Sequence, residues 1–363
     1  MLGLTASPAQ AGAVGSVGRL PYLLLALVAG ALADRWNGKR VMIVCDTGRA
    51  LAFTAIAVGL WTGHLAVPAL YAVALIEGTL FTFFSITEAA ALPVLVPTEQ
   101  LAPAFAQLET AWSASNIIGP AIGGMLYGLG RAIPFAVDAI SYAISALSLL
   151  TIHAPLQGSQ QTEAQALHRD IGTAVQWLWR RPTLRFLALL DIGFELALSG
   201  TILVLIVLLK QHHVGAAGIG LMLAIGAVGT TAGYLIAPNL QHRFSLRRIV
   251  ITAFWLMACL WLLYAFSLSP LILGAIMAAI GGTASVYIVV DVAYRVAATP
   301  DELQGRLNSI FGLLTFGVQS ISLAIGGATA QAFGTRPALI AFTLCLLVTA
   351  ASASVGRHLL PDA

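Results

Sequence analysis

Gly30-Ala-Leu-Ala-Asp34-Arg35-Trp36-Asn37-Gly38-Lys39-Arg40 is a charged stretch held between two long apolar runs, 13–33 and 41–61. Each run is long enough to cross a bilayer, whose hydrocarbon core takes about 20 apolar helical residues. Asp34, Arg35, Lys39 and Arg40 are too costly to place inside that core. The chain must therefore cross, turn at a membrane surface, and cross back.

The same alternation continues outward. Further apolar runs fall at 68–94, 104–129, 133–152, 186–209, 216–238, 249–267, 270–294, 307–333 and 338–357. That makes about eleven spans. Charged residues are 9% of the chain and hydrophobic ones 59%, with a mean hydropathy of +0.90. Soluble domains carry roughly a quarter charged residues, so this chain cannot clothe itself for water. The fold class expected is an all-α polytopic membrane protein. The three cysteines, Cys45, Cys259 and Cys345, lie inside apolar runs without ligand-like spacing. There is no phosphate-binding GxxxxGK[ST] loop, HExxH or GxSxG. An ATP-driven engine and an enzyme are not indicated. No cofactor, metal or nucleic-acid partner is expected; the bilayer and a small-molecule substrate are, with a monomer as the working unit.

Basic residues set the topology. Arg35, Lys39, Arg40, Arg49, Arg169, Arg180, Arg181, Arg185, Arg243, Arg247, Arg248, Arg295, Arg306 and Arg357 fall on one side, fourteen of the 18. Arg19, Arg131, Lys210 and Arg336 fall on the other. The positive-inside rule makes the first side cytoplasmic, with the C-terminus inside and the N-terminus outside. The polar segment 153–185 reads as a cytoplasmic linker between halves 1–152 and 186–363. Its later part, Ile171 to Arg181, looks like an amphipathic helix at headgroup level, with Trp177 and Trp179 beside Arg180 and Arg181.

The halves repeat. Leu32–Ile43 aligns with Leu240–Ile251 without a gap, matching Arg35 to Arg243 and Lys39-Arg40 to Arg247-Arg248. Pro97 matches Pro300, and Ala121-Ile-Gly-Gly124 matches Ala324-Ile-Gly-Gly327 at the same offset. Parallel repeats of this kind are a transporter design with the substrate site between the halves. The second half has six spans and the first has five.

The opening stretch resembles the loop signature of the major facilitator superfamily. Asp46-Thr-Gly-Arg49, Val137-Asp138-Ala-Ile-Ser-Tyr142 and Asp301-Glu-Leu-Gln-Gly-Arg306 extend the resemblance to the branch holding the enterobactin exporter and macrolide efflux proteins. It implies a fold of twelve helices, of which this chain has all but the first, in a bacterial inner membrane. Gly30, Asp34, Arg35, Gly38, Lys39, Arg40, Asp46 and Arg49 would then form the gate. Gly30 would let two helices approach, and Asp34 would latch onto a helix end near Gly305–Arg306. Asn37 stands where the superfamily has Gly; Asn tolerates a left-handed backbone, which keeps the turn. Gly119, Pro120, Gly123 and Gly124 resemble part of the fifth-helix signature of antiporters, read as a close-packed, kinked helix.

Acids inside spans are functional candidates by default. Glu77, Phe81, Phe84 and Glu88 are spaced 4, 3 and 4 and share a face; Asp191 and Glu195 share another; Tyr287 and Asp291 repeat the pattern. Carboxylates beside aromatic rings suit a cationic, ring-bearing substrate. A carboxyl withdrawn from water also holds a proton that it can trade. Glu77 is the one nearest mid-membrane. The alternative readings are an internal ion pair between Asp291 and Arg295, four apart, and a pairing of Glu88 with a loop arginine. The reading is proton-coupled efflux of a drug-like or siderophore-like molecule by alternating access, powered by the proton gradient. A metabolite importer of the same fold and an inactive, truncated transporter are the alternatives.

Overall fold

A computed structural model describes residues 7–33, 36–97, 100–152, 175–266 and 269–361. Eleven long helices follow in order: α1 (Pro8–Ala33), α2 (Gly38–Trp61), α3 (Val67–Leu95), α4 (Leu101–Leu129), α5 (Ile133–Leu150), α6 (Pro182–Gln211), α7 (Ala216–Gln241), α8 (Leu246–Leu262), α9 (Pro270–Ala298), α10 (Asp301–Phe333) and α11 (Thr335–Val355). Nine are long and apolar enough to cross a membrane among the described residues. The other two, α1 and α4, run 26 and 29 residues and pack among them. At 1.5 Å per residue they reach about 39 and 44 Å, more than a bilayer core.

Local chemistry sets the helix starts. Proline stands in the first turn of α3, α5, α6 and α9, where its missing N–H goes unneeded. Asn37 starts α2 differently from the expectation. Its backbone is extended, at φ −69°, and its side chain accepts a hydrogen bond from the Arg40 amide. The residue keeps the turn as an N-cap, not through a left-handed backbone. Lys39 donates to the Leu150 and Ile152 carbonyls at 2.9 and 2.6 Å, binding the α2 start to the last turn of α5.

The repeat is visible in the packing. α1 lies on α3 and α2 on α3 and α5, while α7 lies on α9 and α8 on α9 and α11. A Cβ on Gly78 would run into Gly18, and their counterparts Gly281 and Gly226 also meet. Small residues let these backbones close up where lipid offers no hydrophobic drive. α6 has no counterpart among α1–α5, and packs on α10 and α11. The largest core lies in the second group, around Phe254, Trp261 and Tyr287. α4 and α5 leave Met125, Ile140, Ile144 and Leu147 exposed, apolar faces suited to lipid.

Two seams join the groups, α1 with α10 and α4 with α7. They are repeat images of each other. In the first, a Cβ on Gly327 would lie 2.5 Å from the Pro8 carbonyl oxygen and 3.0 Å from the Gly12 Cα. In the second, a Cβ on Gly124 would lie 2.8 Å from the Gly220 Cα. Gly124 and Gly327 are repeat mates, and so are Gly12 and Gly220. Ser16 and Ser320 hydroxyls pair at 2.9 Å, and Gln331 accepts from Ser7 at 2.7 Å. All these contacts lie toward the ends remote from the 34–37 turn. Nearer that turn, Leu24 is 63% exposed and no described residue lies within 4 Å of a Cβ on Gly30. Among the described residues no helix approaches Gly30 closely. The tightest contacts between the halves lie at one end, and along α1 they continue as far as Tyr22 and Leu23 against Phe316 and Gly317 of α10.

Candidate substrate pathway

The first cluster is centred on Arg49 of α2. The residue is 6% exposed. Its Nη2 donates to Glu77 Oε1 of α3 at 3.0 Å, and Nη1 stands 3.9 Å from Asp46. Its carbon lies 4.6 Å from the Tyr142 ring centroid, 5.4 Å from Phe81 and 5.8 Å from Phe84. So the stripe of Glu77, Phe81 and Phe84 already surrounds a cation, and it belongs to the protein. Asp46 and Glu77, separately read as gate and substrate residues, meet on one arginine. Asp46 Oδ2 and Arg49 Nε are buried without a hydrogen-bond partner among the described residues. Glu88 is half-buried and makes no ion pair among them.

The second cluster joins α6, α9 and α10. Tyr287, wholly buried, donates its hydroxyl to Asp191 Oδ1 at 2.5 Å. One helical turn along α9, Asp291 accepts from Arg295 Nη2 at 2.8 Å. Arg295 stacks over the Phe311 ring at 4.0 Å. The internal ion pair at Asp291 and Arg295 is therefore present. Even so, Asp291 Oδ1 is buried with no partner among the described residues. The guanidinium pairs with Asp291, and the half-buried Asp191 is held by Tyr287.

Glu195, one turn beyond Asp191, turns toward the seam. Gln319 of α10 donates to its Oε2 at 3.2 Å, and Arg19 of α1 lies within electrostatic reach of it without forming an ion pair among the described residues. Arg19 itself sits over Phe316 at 5.7 Å, and Tyr22 meets the same ring at 4.1 Å. Acid, amide, arginine and rings thus converge where α1, α6 and α10 approach. Sequence spacing grouped Asp191 with Glu195, but could not supply Gln319, Arg19, Tyr22 or Phe316 from distant helices. Arg19 was legible in one respect, as a lone basic residue inside an apolar run.

Among gate residues, Gly38 begins α2 and is buried, and Lys39 and Arg40 act as described. Asp34 and Arg35 lie outside the described residues, as do 153–174 of the linker, the side chains of Arg306 and Pro120 and the surroundings of Gly305. Residues 175–180 are helical, with Arg181 over the Trp177 ring at 5.2 Å. In the fifth-helix motif Gly124 makes the close contact; Gly119 and Gly123 face open space.

The comparisons with known proteins agree with this architecture. The family profile described as transmembrane secretion effector, MFS_3, matches residues 1–361. The multidrug efflux pump Tap of Mycolicibacterium fortuitum is 26% identical over 356 residues, 94% of this chain and 86% of that protein. The enterobactin exporter EntS of Citrobacter koseri is 27% identical over 291 residues, 78% of this chain and 68% of its own length. A bacterial homologue of the human lysosomal transporter Spinster, solved inward-facing and unoccupied, superposes with a TM-score of 0.76 at 13% identity. It covers 98% of this chain and 90% of that one. The chain belongs to the transmembrane secretion effector family of the major facilitator superfamily, and is a multi-pass membrane transporter.

Proposed function

We propose that the protein is a proton-coupled exporter of cationic, amphipathic, drug-like molecules in a bacterial cell membrane. The observation that carries this is a charge count. Asp191, Asp291 and Glu195 gather along α6 and α9, three carboxyl groups against two arginines among the described residues, Arg295 ion-paired to Asp291 and Arg19 near Glu195. Buried carboxylates need cations or protons. A carboxyl that carries a proton in one state and a substrate cation in the other couples the two flows. The same surplus favours a cation over an anionic siderophore. The exporter names of Tap and EntS favour the outward direction.

With the basic loops in the cytoplasm, the ends remote from the glycine seams face inward and the C-terminus is cytoplasmic. This is the state that receives an export substrate, and the Spinster homologue was solved in an inward-facing conformation. Closing the 34–37 end and parting the glycine seams would present the same acids to the outside.

Everted membrane vesicles test the reading. With the lumen acidified, a fluorescent dimethylaminostyryl-methylpyridinium cation should accumulate, and collapsing the gradient should release it. Glu195→Gln should abolish the driven component. Accumulation that ignores the gradient, in both proteins, would sink the coupling.

A further inference from the structure

A cavity of about 230 Å³ opens within the second half, between α6, α7, α8 and α9. Its wall includes Glu195, Thr230, Trp261, Tyr264, Ala284 and Ser285. Most of its polar groups are already satisfied. Trp261 Nε1 donates to Thr201 at 2.9 Å, and the Ser285 and Thr230 hydroxyls donate to backbone carbonyls. Tyr264 is different. It is 3% exposed and sits edge-on to Trp261 at 5.9 Å, and its hydroxyl is not among the fully buried polar atoms that lack a partner, so it keeps contact with the open space of the cavity it lines. A tyrosine hydroxyl facing a cavity can donate to an acceptor on a guest. Glu195 is the wall's charged group, with Gln319 donating to its Oε2.

We propose that this cavity seats the ring-bearing end of the transported molecule, with Tyr264 donating to an acceptor on the ring and Glu195 receiving its amine. The size decides the class. A cavity of ~150 Å³ takes one benzene ring, and drug-sized pockets begin near ~300 Å³. This one takes two fused rings. The Trp261 and Tyr264 rings give it aromatic walls, which favour flat groups. The substrate class is a bicyclic aromatic amine with an acceptor on the ring, or a larger amine presenting such a group. The inference rests on the transporter reading above and locates its substrate.

Two probes differing by one acceptor test it on the full chain in nanodiscs: radiolabelled tryptamine and 5-methoxytryptamine. Both should bind saturably. Tyr264→Phe should weaken the methoxy probe about three- to tenfold, the worth of one hydrogen bond, and leave tryptamine unchanged. Glu195→Gln should weaken both, and Ala284→Leu, which fills the cavity, should remove both. Should Ala284→Leu fail to fold, the two-probe comparison in Tyr264→Phe still decides. Equal affinities in Tyr264→Phe and the parent overturn the proposal, as does tryptamine binding that survives Ala284→Leu in a folded protein. Gradient-driven accumulation of the styrylpyridinium probe without amine binding refutes this seat and leaves the exporter reading standing. Amine binding as described with no driven accumulation refutes the exporter reading and upholds the seat.

Discussion

Replacing Gly327 by alanine should push the protein out of the state seen here. The added Cβ would stand 2.5 Å from the Pro8 carbonyl oxygen, 3.0 Å from the Gly12 Cα and 3.1 Å from the Gly12 nitrogen. These are backbone atoms of α1 and cannot rotate away. Restoring ordinary contact at 3.4 Å parts α1 from α10 by about 0.9 Å. Overpacking of this kind costs ~1–3 kcal/mol. The cost falls only on the state in which the seam is closed, because in the opposite state the seam is parted. The ratio of closed to open seam should therefore drop by about 5- to 140-fold, at 1.4 kcal/mol per decade. Spin labels on Trp61→Cys and Phe333→Cys, at exposed helix ends on the seam side, report the distance between halves. Gly327→Ala should add a longer component. Gly124→Ala, whose Cβ would meet the Gly220 Cα at 2.8 Å, should add the same one. Gly128→Ala, facing open space on α4, should not. An unchanged distribution in both seam variants would refute the idea that glycine contact holds this end shut.

Arg49→Ala should cost ~3–5 kcal/mol of stability, read by thermal unfolding in detergent, because it strands Asp46 and Glu77 without their cation. Arg49→Met with Glu77→Gln should recover part of that loss, since the pair leaves together. Trp261→Phe should lower stability by ~1 kcal/mol through its lost hydrogen bond to Thr201, seen as a lower melting temperature. Tyr287→Phe removes the donor to Asp191; gradient-driven uptake should fall while gradient-independent exchange of the styrylpyridinium probe persists.

The spans were legible because hydropathy and length are local. Expected runs of 41–61 and 133–152 became Gly38–Trp61 and Ile133–Leu150. The chief differences lie at polar ends, as where 307–333 became Asp301–Phe333. Helix continues past the apolar core into a zone where charged residues keep water, so hydropathy stops short of the hydrogen bonds. The repeat was legible too, but its meaning was not. The matched Gly124 and Gly327 signalled packing; that they bind Gly220 and Gly12 of the opposite half needed the tertiary structure. The signal was present, since Gly12 and Gly220 share the offset of the Leu32 and Leu240 blocks. The acids on α3, α6 and α9 were found by spacing. Their partners were not, because periodicity along one helix is silent about its neighbours. Arg49 shows the consequence: a stripe read as a place for a foreign cation holds the protein's own.

Exchange of substrate for protons is the central claim, and counterflow tests it without an imposed gradient. Proteoliposomes carrying a lumenal pH dye are loaded with the styrylpyridinium cation and diluted into probe-free medium. Exchange predicts that the lumen acidifies as the cation leaves, and that Glu195→Gln abolishes the signal. A lumen that becomes alkaline, or stays unchanged while the cation departs through the protein, would contradict it.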